Sequence, residues 1–386
     1  MICLGIDGAT DESVAVEFAE TISAVRPSET TSDIYLAPGF VDLQINGFAG
    51  VDFNDPNTSV AEIGRSLDAI FATGVTRCLP TVITGPPEAM LASLRNLRRA
   101  QMELPRGRAI AGFHVEGPHI GPEDGPRGAH PARWVRPPDF EEFARWQEAT
   151  DGNIRLVTLS PHWPEAPGYI SAIRKAGVVA SIGHTGANAE QIARAVDAGA
   201  TLSTHLGNAA YKMIPKFPNC LWDQLSEERL SASFIVDGLH LDPAFLRVAL
   251  RAKSVERTIL VTDAAAPAGA VPGRYRLGEL DVEMTDDDRV VLTGTKKLAG
   301  SALRMNVAVA NLMSIAGVSL RDAIRTATVN PARVIGLEGR REGLKIGDRG
   351  DVVVFRVKAP VAKTTSGTWQ DGIAVEAVYL DGVRVA

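Results

Sequence analysis

The chain has 386 residues, 45% hydrophobic and 22% charged, which is enough for one large barrel and a small accessory domain. A formal net charge of −6, with Lys and Arg scattered, excludes an obvious nucleic-acid surface, and no apolar run nears the roughly 18 residues of a membrane span. Cys3, Cys78 and Cys220 are too few and too far apart for a disulfide framework or zinc knuckle. Met1-Ile-Cys-Leu-Gly-Ile-Asp lacks a secretory pattern, so the expectation is a reduced, cytoplasmic protein without nucleic-acid or membrane partners.

Residues 1 to about 37 carry short alternating runs, with Val14-Ala-Val-Glu-Phe as a strand and a break at Ser32-Asp33 before Ile34-Tyr-Leu. The other end is alike. Asp351-Val-Val-Val-Phe-Arg-Val and Ala374-Val-Glu-Ala-Val-Tyr-Leu read as strands, and Asp381-Gly382 as a hairpin turn before Val383. The expectation is a small β-sandwich domain built from both termini, 1–37 with 340–386, around a middle of 38–339. Two unrelated frayed ends is the alternative.

The middle alternates. Phe40-Val-Asp-Leu-Gln-Ile-Asn is a strand, and Val60, Ile63, Leu67, Ile70 and Phe71 share a helical face that Gly74 ends. Val75-Thr-Arg-Cys-Leu-Pro-Thr-Val is a strand, followed by a helix from Glu88 to Ala100. Ala109 to Glu116 is a strand, Phe140, Phe143 and Trp146 mark a helix face, and Ile154-Arg-Leu-Val-Thr-Leu is a strand. Val178-Val-Ala-Ser-Ile-Gly then leads into His184, and Gly199-Ala-Thr-Leu-Ser-Thr into His205. Between them lies a helix from Asn188 to Ala198, with Asn188 and Gln191 as a capping box and Ile192, Ala193 and Val196 on one face. Ala232-Ser-Phe-Ile-Val, a helix from Pro243 to Ala252, and Thr258-Ile-Leu-Val-Thr ending at Asp263 complete about eight strands. This α/β order predicts a (β/α)8 TIM-like barrel. An open doubly wound sheet is the rival, but its glycine-rich phosphate turn is replaced here by Gln44-Ile-Asn46-Gly.

Strand ends in such a barrel converge at one mouth, where ligands bind. They deliver Gln44 and Asn46, Glu116, His184, His205, Asp237 with His240, and Asp263. Glu116, His184 and His205 form a set suited to one divalent metal, Zn²⁺ before Fe²⁺, Co²⁺ or Mn²⁺, with water in the open position. Such a metal lowers the pKa of its water to roughly 7, and Asp263 is placed to take and return that proton. Each residue also has a plainer reading: Glu116 as a turn cap, Asp263 as a helix N-cap, the two histidines as buried groups bonded to carbonyls. Asp237 reads as loop-stabilising, and His119 and His162 as surface or loop residues.

At this point the residues resemble a known family. Gln44-Ile-Asn-Gly, His114-Val-Glu-Gly-Pro, Gly128-Ala-His, Gly183-His-Thr, Thr204-His-Leu-Gly-Asn-Ala, Asp237-Gly-Leu-His, Val261-Thr-Asp-Ala, Leu298-Ala-Gly-Ser-Ala and Thr328-Val-Asn-Pro-Ala-Arg are similar to motifs of the N-acetylglucosamine-6-phosphate deacetylases of the amidohydrolase superfamily. The likeness runs from about Ala37 to Asp351 and implies metal-dependent removal of an N-acetyl group from an amino sugar. It implies that Glu116, His184 and His205 hold the metal and that Asp263 is the general base and acid. His130, Asn208, Ala209 and His240 would then contact the substrate, with Ala299 and Gly300 lining an acetyl pocket. Gln44-x-Asn46 stands where many superfamily members carry a metal-binding His-x-His, which implies a single metal. An arginine eleven residues after the second metal histidine usually grips the 6-phosphate; here that count reaches Lys216, in a segment from Tyr211 to Leu230 unlike the family's usual sequence. A homodimer is expected. Two rivals stay open: a related amidohydrolase acting on another N-acyl sugar or N-acylamino acid, and a metabolite-binding barrel without catalysis.

Overall fold

Eight parallel strands, Phe40–Ile45, Val75–Ile83, Phe113–Glu116, Ile154–Leu159, Val179–Ile182, Leu202–Ser203, Ser231–Phe234 and Thr258–Leu260, stand side by side in chain order. The computed structural model describes residues 1–29, 33–358 and 372–386. Most of these strand residues are buried apolar or small, the pattern of parallel strands covered on both faces. The first and eighth strands meet through Asn46 N donating to Ala264 O (2.7 Å) and Asp263 N donating to Gln44 O (2.9 Å), which nearly closes a barrel. That seam sets Gln44, Asn46 and Asp263 beside one another.

Helices follow the strands and bury their apolar faces against them. Val60–Phe71 starts at a capping box between Ser59 and Glu62, and Ala189–Asp197 at one between Asn188 and Gln191. The latter buries Ile192, Ala195 and Val196 rather than Ala193, which the helical turn carries outward. Phe140, the first residue after the Asp139 N-cap, is 49% exposed, while Phe143 and Trp146 are buried. The strand expected from Ala109 begins at Phe113. Gly107–Ala109 is a short 3-10 turn, and Gly112 (φ +146°) makes a bend that a side chain resists. Gly183 is required by proximity: a Cβ there would lie 2.6 Å from Thr158 Cγ2 and 3.0 Å from Thr204 Cβ.

Both termini join one seven-stranded sheet. Ile2–Asp7, Ser13–Phe18, Ile22–Pro27 and Ile34–Pro38 combine with Val352–Val357, Ile373–Leu380 and Val383–Arg384 around a core that includes Val16, Phe18, Leu36 and Val352. The Ser32 half of the expected break lies outside the described residues. A three-stranded antiparallel sheet, Gly273–Leu277, Leu280–Met284 and Val290–Leu292, follows the eighth strand and was not foreseen. It packs Leu277, Val282 and Met284 with Ile83 and Ala299 beside the barrel mouth. No helix among the described residues is long and apolar enough to cross a membrane.

Candidate active site

Glu116 ends the third strand with its side chain buried, and three imidazoles face it. His205 Nε2 lies 2.9 Å from Glu116 Oε1, His184 Nε2 lies 3.3 Å from the same oxygen, and His130 Nε2 lies 3.7 Å from Oε2. The second ring nitrogens of His184 and His130 are held from behind, while Nδ1 of His205 is buried without a partner among the described residues. His184 Nδ1 sits 3.0 Å from Pro126 O, so it carries the proton and donates, leaving Nε2 as a lone-pair donor. His130 Nδ1 lies 2.7 Å from Thr84 Oγ1. Burial raises the Glu116 carboxyl, but His184 and His205 outweigh it and hold the group well below the usual range. His130 is pushed down to about 3 by burial and by His184.

Asp263 faces the same space from the barrel seam. Its Oδ1 accepts from Asn46 Nδ2 (2.8 Å) and Gln44 Nε2 (3.1 Å), and Gln44 Nε2 also donates to Glu116 Oε1 (2.8 Å). One neutral amide, Gln44, thus ties the two carboxylates together, and Asn46 adds a second donor to Asp263. Burial and the neighbouring Glu116 raise the Asp263 carboxyl to about 6. The backbone is strained at three of these positions: φ is +50° at His184, +29° at His205 and +50° at Asp263. Glycine would take these angles without strain, so the retained side chains point to function.

A cavity of about 640 Å³ opens over this floor, within the usual range for a small-molecule site. Asn46, Glu116, His130, His184, His205, Asn208, Ala209, His240, Asp263, Ala299 and Gly300 all line it. Asp237 is a loop-stabilising residue with a further task. Its Oδ1 accepts from the backbone N–H groups of Leu239 and His240, and Oδ2 lies 2.6 Å from His240 Nδ1, fixing that ring.

Lys216 is not brought to this cavity. It is exposed, with Nζ 5.7 Å from the Phe217 ring centre. Asn219 explains the placement. Its Oδ1 accepts from Leu221 and Trp222 N–H to start the helix Cys220–Ser226, while its Nδ2 donates to the carbonyls of Pro215 and Lys216. The lysines that do line the cavity are Lys212, Lys296 and Lys297, which sequence reasoning passed over. His119 is also corrected. It is fully buried between Trp146 and Tyr169, and burial lowers it to about 4.

The donor set fits a metal: buried Glu116, His130 and His184 offer ligand atoms all within 4.8 Å of one another, and His205 Nε2 points at the same carboxylate. The amidohydrolase family model matches residues 35–385. The chain belongs to the amidohydrolase family. Within this metal-dependent family, N-acetylglucosamine-6-phosphate deacetylase from Homo sapiens is 35% identical, covering 91% of this chain and 83% of its own length. N-acetylgalactosamine-6-phosphate deacetylase from Escherichia coli O157:H7 is 32% identical over 86% of this chain and 88% of its own. A mutant N-acetyl-D-glucosamine-6-phosphate deacetylase from Mycobacterium smegmatis, solved in complex with N-acetyl-D-glucosamine-6-phosphate, matches with TM-score 0.87 at 31% identity, over 99% of this chain and 97% of that one. The barrel and the terminal sheet are thus an amidohydrolase fold.

Proposed function

We propose that this amidohydrolase hydrolyses the N-acetyl group of N-acetylglucosamine 6-phosphate, releasing acetate and glucosamine 6-phosphate. The observation that carries the reading is the floor of the cavity: imidazole Nε2 atoms converge on buried Glu116, and Asp263 is held against the same space by two amide donors. Glu116, His184 and His205 hold a single divalent ion, Zn²⁺ first among the candidates. When bound, it supplies Lewis acidity to the acetyl carbonyl and the attacking water.

The chain's own residues do the rest. Asp263 accepts a proton from the attacking water and returns it to the amine nitrogen as the C–N bond breaks. A carboxylate held against the cavity by Asn46 and Gln44 can serve both halves of that exchange. His240, its ring fixed by Asp237, and His130, its ring fixed by Thr84, contact the acetyl group and sugar. Asn208 and Ala209 contact the sugar, and Ala299 and Gly300 line the acetyl side. The Escherichia coli relative favours a second reading, the C4 epimer as substrate.

The assay is acetate release by metal-loaded protein from the two N-acetylhexosamine 6-phosphates and from unphosphorylated N-acetylglucosamine. Turnover of the gluco ester is expected; activity confined to the galacto ester selects the second reading, and none on any of the three removes both. Metal analysis of His184→Ala and His205→Ala should show lower content than wild type. If His130→Ala alone loses the metal, His130 replaces one of them in the set. We also propose a cytoplasmic homodimer, supported by three free cysteines and by exposed Met213, Phe217 and Trp222 on one segment beside the cavity. Sedimentation as a monomer at micromolar concentration would remove the dimer.

A further inference from the structure

A second cavity shares two segments with the catalytic one. It holds about 390 Å³, and its charged residues are Asp237, Asp288 and Arg304. The loop Asp237-Gly-Leu-His gives His240 to the catalytic cavity, and Asp237 and Leu239 to the second. The run from Ala299 to Arg304 divides likewise, with Ala299 and Gly300 on the catalytic side and Ala302, Leu303 and Arg304 on the other. The three charges are not equivalent. Both oxygens of Asp237 are engaged, by the His240 ring and by the N–H groups of Leu239 and His240. Asp288 and Arg304 are half-buried, and among the described residues neither side chain makes an ion pair or hydrogen bond. They line one cavity without pairing with each other.

Arg304 is also poorly placed for its own helix. It is the N-cap of Met305–Ala316, makes no side-chain cap there, and sets a cation at the positive end of the helix dipole. A half-buried, unpaired guanidinium that weakens its own helix is tolerated where the side chain has a partner to meet. Among the described residues, then, the cavity presents one free guanidinium, one free carboxylate and the apolar side chains of Leu239, Met284, Leu303 and Val307. A ligand that meets all of these carries an anionic group, an ammonium and an apolar body, with no net charge. A sugar phosphate is a worse match, because its dianion would face one guanidinium and two carboxylates.

We propose that this second cavity is a binding site for a free α-amino acid with an apolar side chain, with Arg304 on its carboxylate and Asp288 on its ammonium. Arginine suits the first task because its planar fork donates two parallel N–H groups to a carboxylate. The apolar side chain lies against Leu239, Met284, Leu303 and Val307, and the volume is at the lower end of the usual range for a small-molecule site. The occupant stands beside Asp237, the carboxylate that fixes the His240 ring in the catalytic cavity.

The test is calorimetric titration of metal-loaded protein with leucine, with leucinamide, which lacks the carboxylate, and with isocaproate, which lacks the ammonium. A hydrogen bond to a charged group is worth about tenfold or more. Leucine should therefore bind about tenfold or more tighter than either of the other two. Arg304→Ala and Asp288→Asn should each weaken leucine by a similar factor, and Arg304→Lys should keep part of the affinity. Both side chains are unpaired, so removing them strands no partner, and circular dichroism of each variant should match wild type. Neither Arg304 nor Asp288 lines the catalytic cavity, so His130→Ala, which alters that cavity, should bind leucine as wild type does. Leucine binding lost in His130→Ala but kept in Arg304→Ala would put the amino acid on the catalytic floor and overturn the proposal. So would a wild type that does not bind leucine, leucinamide or isocaproate binding as tightly as leucine, or Arg304-dependent binding of glucosamine 6-phosphate in place of leucine.

Discussion

Asp263 adopts a backbone angle that favours glycine, is buried, and keeps a carboxylate beside the Glu116 carboxylate. Three unfavourable features at one residue are tolerated where the side chain is needed. Asp263→Asn tests this. The amide oxygen still accepts from Asn46 and Gln44, so fold and metal should persist while turnover falls by about 10² to 10⁴. Removing a buried charge should also leave the metal-free protein at least as resistant to urea as wild type. Near-wild-type turnover would take the base role from Asp263. Glu116, His184, His205 and Asp263 were legible because each ends an apolar run, and a parallel barrel gathers strand ends at one mouth. That Lys212, Lys296 and Lys297 line the cavity was not legible, since loops carry no periodicity. The Lys296-Lys297 pair beside Leu298-Ala-Gly-Ser was the available signal.

Beneath the floor, one hydrogen-bonded layer links four strands inside the barrel. His114 Nε2 lies 2.8 Å from Thr158 Oγ1, which is 2.6 Å from Thr204 Oγ1, which is 2.6 Å from Ser181 Oγ. Burial lowers His114 to about 4, so its ring is neutral and Nε2 accepts from Thr158 once Nδ1 carries the proton. His114, Thr204 and Ser181 sit one to three positions from Glu116, His205 and His184, and Thr158 bonds two of the three, so the layer sets the register in which those side chains meet. Thr158→Val fills the same volume but strands His114 Nε2 and reduces Thr204 Oγ1 to one partner. Each buried group left unpaired costs about 1–3 kcal/mol, and support behind metal ligands is worth about 10- to 100-fold in affinity. Urea unfolding and metal titration of this variant should show both losses; wild-type metal affinity would confine the layer to stability. The strands themselves were legible from buried apolar runs, but this layer was not, because Thr and Ser on a strand read the same whether they face a core or a neighbour. The three-stranded sheet after Asp263 was also missed, although Gly278-Glu279 between Gly273–Leu277 and Leu280–Met284 is a two-residue hairpin signal.

Barrel and terminal sheet are joined by a buried ionic cluster far along the chain from the chemistry. Asp351 Oδ2 accepts from Arg77 Nε on the second barrel strand (2.8 Å) and from Arg340 Nη2 (2.7 Å), while Arg77 Nη2 donates to Asp381 Oδ1 (2.7 Å). Charge pattern alone could not reveal it, because its members are separated by up to 304 residues. Removing one partner of such a cluster leaves an uncompensated buried charge and costs about 3–5 kcal/mol. Burial raises the Asp351 carboxyl, but Arg340 and Arg77 outweigh it and hold it below its unfolded value of 3.8. A depressed carboxylate contributes stability that is fully present above the unfolded value and is lost as pH falls through the folded one. Asp351→Asn should therefore be less stable than wild type by several kcal/mol at pH 7, and the gap should narrow once the pH drops below about 4. Urea unfolding at both ends of that range measures it. A gap that is constant with pH would assign the loss to packing of the two sheets rather than to the Asp351 charge.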